Sequence, residues 1–120
     1  MSRLTAYLHP KCSTCTRARQ WLQAQGLAFD EKDIRAIPPP LTELQAMATQ
    51  LGGTRRLFNT SGLEYRALGL ARQLPRMTEA AALRLLAGNG MLVKRPFLLG
   101  PGVALVGFKE QAWTEALVKK

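Results

Sequence analysis

The pattern of apolar and polar residues predicts strands at both ends of the chain. Residues 4–8 are largely apolar and are followed by Pro10, which predicts a short first strand. Residues 13–25 then repeat apolar side chains at helical spacing and stop at Gly26, a residue typical of helix C-termini. Residues 28–33 predict a second strand, which would run parallel to the first because a helix connects them.

The last third of the chain predicts a hairpin and a helix. Residues 97–99 and 103–106 are apolar and flank Gly100-Pro101-Gly102, a sequence typical of a turn between antiparallel strands. Residues 109–118 show a final helical pattern, and one side of this helix is expected to be buried. The expected buried residues are Ala112, Trp113, Ala116 and Leu117.

Between these two parts, residues 38–90 are predicted to be mainly helical. Pro38-Pro39-Pro40 cannot continue a helix or a strand and predicts a stiff crossing. Helical patterns follow over residues 41–51 and, more briefly, over residues 64–68. Thr78 is a typical N-cap and predicts that a further helix begins there. The order of elements therefore predicts an α/β fold with a helical insertion.

The only two cysteines, Cys12 and Cys15, lie between the first strand and the first helix. A disulfide over so short a loop is poorly suited to stabilising a fold, because structural disulfides act mainly by closing long loops. We expect Cys12 at the helix N-cap, where unpaired N–H groups and the helix dipole stabilise a thiolate. Lys11 and Arg17 add positive charge, so the pKa of Cys12 should be below that of a free thiol. Cys15, one turn further, would then resolve a mixed disulfide formed at Cys12.

Two other interpretations of the cysteine pair stay open. A closed zinc site needs about four ligands, whereas His9 is the only histidine, and we expect no metal. Two inert, buried cysteines would need apolar surroundings, but a helix N-terminus beside Lys11 is positively charged. Redox or anion chemistry is the favoured interpretation.

The composition fits one domain over residues 1–120, because 47% of the residues are hydrophobic. The 17 basic and 8 acidic residues give a net charge of +9, which suggests anionic or acidic partners. The basic residues are scattered and do not alternate with aromatic residues, so direct nucleic-acid binding is disfavoured. Because no segment has the length of a membrane span or the features of an export signal, we expect a cytoplasmic protein. In that reducing compartment a CxxC pair is typically catalytic or redox-sensing.

Three motifs, in order, resemble the ArsC/Spx family of arsenate-reductase-like proteins. They are Tyr7 with Pro10-Lys11-Cys12-Ser13-Thr14-Cys15, then Leu57-Phe58-Asn59-Thr60-Ser61-Gly62 with Tyr65-Arg66, and finally Lys94-Arg95-Pro96-Phe97. The resemblance covers nearly the whole chain. It implies a thioredoxin-like fold, a βαβ…ββα mixed sheet with a helical insertion at about residues 38–90.

The resemblance also implies roles for individual residues. Cys12 would be the nucleophile, and Arg95 would precede a cis-proline, Pro96, packed against the cysteine loop. A guanidinium beside the thiolate would lower its pKa and bind an oxyanion or a disulfide partner, and we expect Arg66 to face the same loop. The predicted catalytic residues are Cys12, Cys15 and Arg95, and the predicted binding residues are Lys11, Arg66 and Pro96.

Two classes of function follow from the resemblance. One is a thiol–disulfide oxidoreductase or an arsenate reductase, which would act on disulfides or oxyanions. It would use an external reductant such as glutathione or thioredoxin and no bound cofactor. The other is a redox-sensing regulator resembling Spx, which would bind the C-terminal domain of the RNA polymerase α subunit.

Departures from the family's patterns bear on this choice. Spx-type regulators have a glycine near Gly52-Gly53 for polymerase contact, but acidic residues follow it where this chain has Arg55 and Arg56. Such a charge reversal reduces complementarity, and the chain ends at Lys120 without the longer tail of those regulators. Arsenate reductases of the family have an arginine trio, and its third member corresponds to Gly107. We therefore favour the oxidoreductase and expect weak or absent arsenate reduction.

Overall fold

The structure is a computed structural model that describes residues 3–118, and these fall into two compact units. The first unit combines residues up to 33 with those from 95 onward, and the second comprises residues 34–94. The second unit contains the predicted helical insertion. The assignment of residues 1–120 to one domain stays a prediction.

The first unit is built on a four-stranded mixed sheet in the order β2-β1-β3-β4. The strands are β1 (Leu4–Leu8), β2 (Phe29–Asp33), β3 (Phe97–Gly100) and β4 (Val103–Val106). β1 runs parallel to β2, with Leu4 opposite Phe29, and antiparallel to β3, which forms a hairpin with β4. The predicted parallel pair and hairpin are confirmed, and β2 begins one residue later than expected.

Two helices complete this unit: α1 (Ser13–Ala24) and α6 (Glu110–Leu117). Their buried side chains join those of the sheet in one apolar cluster, which contains Ala6, Leu8, Cys15, Ala18, Trp21, Leu22, Leu98, Val103 and Trp113. The Trp113 ring meets Trp21 edge-on, with centroids 6.1 Å apart. The expectation that Ala112 is buried is wrong, because the buried position of α6 is Trp113 and the preceding residue is turned away on the helix.

The second unit consists of helices and turns. It contains α2 (Leu41–Leu51), α3 (Leu63–Ala67), α4 (Leu70–Gln73) and α5 (Glu79–Gly88), with 3₁₀ turns at Arg55–Leu57, Leu74–Arg76 and Gly90–Leu92. α2 packs against α5. The predicted cap is confirmed, because Thr78 Oγ1 accepts from the Ala81 N–H group at 3.1 Å. α2 ends at Gly52, whose φ of +82° is readily adopted by glycine.

Short elements account for most differences from the expected fold. The helix predicted over residues 64–68 is α3, one residue earlier, and neither α4 nor the 3₁₀ turns were predicted. A single turn is too short to show a helical period in the sequence. Over residues 3–118, no helix is long and apolar enough to cross a membrane.

Candidate active site

The cysteine loop joins the carboxyl end of β1 to the start of α1. Cys12 has an extended backbone (φ −98°, ψ 118°), and its Sγ accepts from the Cys15 N–H group at 3.3 Å. The Cys12 carbonyl accepts the first helical bond, from Thr16 N–H, at 3.0 Å. The sulfur therefore occupies the place of an N-cap oxygen, as the sequence predicted.

The two thiols differ in access to solvent. Cys12 is partly exposed, whereas Cys15 is fully buried, and both are free thiols. The Cys15 Sγ accepts from the His9 N–H group at 3.4 Å on its buried side. A partner arriving from solvent therefore meets Cys12 first.

The two thiols also differ in acidity. Burial is the largest influence on Cys12 and opposes its ionisation, but hydrogen bonds from Cys15 and Arg95 together lower its pKa. Burial, the largest cause, and the neighbouring Cys12 raise the pKa of Cys15 to about 12, against the opposing hydrogen bond from His9. The site thus favours one thiolate, on Cys12, beside a protonated Cys15.

Arg95 is the cation that interacts with Cys12. Its Nε and Nη1 atoms are buried and have no hydrogen-bond partner among residues 3–118. Buried donors are rarely left unpaired, because each forfeits its bonds to water. An oxyanion or carboxylate bound beside the guanidinium would supply acceptors for charge-assisted hydrogen bonds.

Pro96 follows Arg95 and is buried at the start of β3. The Arg95–Pro96 peptide bond is cis, as the family resemblance implied. The Pro96 carbonyl accepts from the Gly107 N–H group at 2.9 Å, which ties β3 to the residue after β4. Gly107 has a φ of +70°, and its carbonyl accepts from Trp113 Nε1 at 3.0 Å.

The other predicted binding residues have different surroundings. Lys11 is exposed and enters the loop through its backbone, whose N–H group donates to His9 Nδ1 at 3.0 Å. Arg66 is exposed on α3 in the second unit. The roles of both side chains at the cysteine loop stay predictions. Within residues 3–118, no group of three or more His, Cys, Asp or Glu residues could hold a metal ion.

The sequence suggests His9 only as a zinc ligand, yet the residue contacts Lys11, Cys12 and Cys15. Its ring accepts from the N–H group two residues on, as Asn and Asp side chains do in turns. A histidine directly before Pro10 is a weak signal of such a turn, because the sequence does not determine the orientation of its ring.

Comparisons with known proteins identify the family. The ArsC family profile matches residues 7–116. YusI from Bacillus subtilis strain 168 is 42% identical over 113 residues, which cover 93% of this chain and 96% of YusI. A crystal structure of an ArsC family related protein from Bacteroides fragilis matches with a TM-score of 0.88 and 37% identity, covering 95% of this chain and 98% of that one.

Two further relatives have functional names. The global transcriptional regulator Spx from Streptococcus agalactiae serotype V is 28% identical over 108 residues, covering 89% of this chain and 77% of Spx. An arsenate reductase from Neisseria meningitidis serogroup A is 30% identical over 109 residues, covering 89% of this chain and 92% of the reductase. The profile match spans nearly all of the described residues, including both cysteines and Arg95. The chain belongs to the ArsC family.

Proposed function

We propose that this protein is a thiol–disulfide oxidoreductase whose redox pair is Cys12 and Cys15. The observation that carries the proposal is the 3.3 Å contact between Cys15 N–H and Cys12 Sγ at the N-cap of α1. It places an accessible sulfur of lowered pKa one helical turn from a buried, protonated thiol. This is the asymmetry that a nucleophilic and a resolving cysteine require.

The proposed reaction begins when the Cys12 thiolate attacks one sulfur of a substrate disulfide. A bond forms between Cys12 Sγ and that sulfur, the substrate S–S bond breaks, and the first substrate thiolate leaves and takes a proton from water. Cys15 then loses its proton and attacks Cys12 Sγ. The second substrate thiol leaves, and the two cysteines are joined in a disulfide.

An external thiol supplies the two electrons that restore the dithiol. Two molecules of glutathione, or one thioredoxin dithiol, would attack the Cys12–Cys15 disulfide and become oxidised in turn. Cys12 is the more exposed sulfur and so is the expected point of attack. A reducing compartment such as the cytoplasm would supply such thiols.

The test compares disulfide exchange by the wild-type protein and by two variants, Cys12→Ser and Cys15→Ser. Wild type should reduce bis(2-hydroxyethyl) disulfide in the presence of glutathione, and Cys12→Ser should abolish this activity. Cys15→Ser should accumulate a mixed disulfide at Cys12, which mass spectrometry of the peptides would identify. Equal activity of wild type and Cys12→Ser would contradict the proposal.

Arsenate reduction is the second candidate, and two donors of Arg95 that lack partners within residues 3–118 favour it. In that reaction Cys12 would attack arsenic and displace water. A second thiol would then attack Cys12 Sγ, forming an S–S bond and releasing arsenite with the two electrons. The arsenate reductase among the relatives supports this alternative.

We nevertheless expect arsenate turnover to be weak, because Gly107 stands where the family's third arginine is expected. One missing charge-assisted hydrogen bond is worth about 1.5–3 kcal/mol, or roughly 10- to 150-fold in anion affinity. The measurement is a coupled assay with arsenate beside the disulfide assay, using the same reductant. Efficient arsenate turnover without disulfide exchange would reverse the ranking.

Regulation is the third candidate, and the name of the Spx relative supports it. Gly52 is exposed at the end of α2, and Arg55 and Arg56 are exposed just beyond it. Calorimetric titration with the purified C-terminal domain of the RNA polymerase α subunit would test this candidate. We expect no binding by either redox state, because the two arginines replace acidic residues of the regulators.

A further inference from the structure

His9 contacts three residues of the cysteine loop, and one of these contacts depends on its side chain. Its carbonyl accepts from the Cys12 N–H group at 3.2 Å, and its N–H group donates to Cys15 Sγ at 3.4 Å. Both would survive a substitution that preserves the backbone. The third contact, Lys11 N–H to Nδ1 of the His9 ring at 3.0 Å, would not.

This ring contact has the geometry of a side chain that closes a turn. An acceptor on one residue takes the N–H group two residues on, as the Asn side chain does in an Asx turn. Because Nδ1 is the acceptor, the neutral ring must have its proton on Nε2. His9 is only 9% exposed, and the contact of its ring with Lys11 N–H is part-buried.

We propose that His9 is a positioning residue that fixes the cysteine loop for reaction through its ring. The closed turn from His9 to Lys11 leads directly into Cys12 and sets the extended backbone that places Cys12 Sγ at the N-cap of α1. The ring acts through Lys11 and is not itself the proton acceptor or the nucleophile. The nature of the reaction rests on the proposed function, but the loop's effect on the Cys12 thiol does not.

Loss of the ring acceptor would have two consequences. The part-buried Lys11 N–H group would lack its partner, which favours other conformations of the turn. In those conformations Cys12 Sγ would leave the Cys15 N–H group, and the thiolate would lose part of its stabilisation. The Cys12 pKa should rise and its reactivity at neutral pH should fall.

Three substitutions separate the ring's acceptor from its bulk. His9→Asn keeps an acceptor atom at the position of Nδ1, His9→Ala removes it, and His9→Gln moves it one bond further along the side chain. The rate of Cys12 alkylation by iodoacetamide is measured against pH, with peptide mass spectrometry to separate Cys12 from Cys15. Thermal unfolding monitored by circular dichroism confirms that each variant is folded under the assay conditions.

We expect His9→Ala and His9→Gln to raise the Cys12 pKa by about half a unit to one unit. The rate at pH 7 should fall roughly three- to tenfold. His9→Asn should restore both quantities to within about twofold of wild type, a rescue that loss of bulk alone does not predict. If His9→Ala does not fold, the comparison of His9→Asn with His9→Gln tests the same prediction.

Two results would overturn the proposal: a Cys12 pKa that is unchanged in folded His9→Ala or His9→Gln, or an Asn variant as impaired as the Gln variant. Neither result depends on a substrate. If the pKa pattern appears while wild type fails to exchange disulfides, the positioning role stands and the proposed function falls. If disulfide exchange occurs without this pKa pattern, the proposed function stands and the positioning role falls.

Discussion

At the residue scale, the difference between the two thiols predicts the order of their modification. Cys12 has a lowered pKa and is partly exposed, whereas burial raises the pKa of Cys15 to about 12. The thiolate is the reactive form, so the alkylation rate of Cys12 should rise with pH with a midpoint below that of an ordinary thiol, while Cys15 stays protonated there. Iodoacetamide labelling between pH 5 and 10, quantified by peptide mass, should show Cys12 modified first. Faster labelling of Cys15 in the folded protein would contradict this assignment.

The position of Arg95 beside Cys12 predicts that bound anions protect Cys12 from alkylation. Two of its buried nitrogens have no partner among the described residues, and the guanidinium interacts with the Cys12 sulfur. Phosphate or arsenate bound there should slow alkylation of Cys12 in wild type. Arg95→Gln should lose this protection and should also raise the Cys12 pKa, since a cation that favours the thiolate is gone. Arg84→Gln, which removes an exposed charge from α5, is the matched control and should keep the protection.

These residues differ in how far the sequence predicts them. The N-cap position of Cys12 follows from local rules, because Pro10 precedes it and Ser13, Thr14 and a helical pattern follow it. A motif identifies Arg95, and only the structure shows that two of its donors lack partners in the described part of the chain. The contact of the His9 ring with a backbone N–H group depends on ring orientation, which residue spacing does not determine.

At the scale of elements, the backbone conformation directly after β4 favours glycine over other residues. Gly107 has a φ of +70°, a conformation that costs other residues about 1–2 kcal/mol. Gly107→Ala and Gly107→Arg should both lower the free energy of unfolding by about this amount, measured by urea denaturation. Gly88→Ala is the control: this glycine has no positive φ, and a Cβ there meets nothing within 4 Å. A loss in Gly88→Ala as large as in the Gly107 variants would exclude the backbone explanation.

The elements that the sequence predicts well are those with a period and a marked end. α2 shows a helical pattern and stops at Gly52, and α5 begins after Thr78, whose side chain caps it. α4 is a single turn, too short for a pattern. Ala112 was misplaced because alanine is small and apolar and suits either side of a helix, whereas the Trp113 side chain is largely apolar and is found buried.

At the scale of the molecule, charge is the dominant feature. The 17 basic residues outnumber the 8 acidic ones and give a net charge of +9, and ion pairs such as Arg3–Asp30 at 2.9 Å and Arg19–Glu31 at 2.7 Å neutralise only some of the basic residues. Hydrogen bonds from Arg19 lower the pKa of Glu31, so this pair stays ionised at neutral pH. Many other arginines are exposed, and the protein as a whole should attract anions.

This charge predicts that the salt dependence of disulfide exchange follows the charge of the substrate. A positive protein raises the local concentration of an anionic substrate, and added salt screens that attraction because the Debye length falls to about 10 Å at ~0.1 M. Raising the ionic strength from ~20 mM to ~200 mM should slow the reaction with anionic 5,5′-dithiobis(2-nitrobenzoate) roughly threefold or more. Cationic cystamine should react no slower, and neutral bis(2-hydroxyethyl) disulfide should change little. These rates are compared within each substrate, so differences in leaving-group chemistry cancel. The same salt effect on all three substrates would show that screening acts on the thiol chemistry of the cysteine loop rather than on the approach of the substrate.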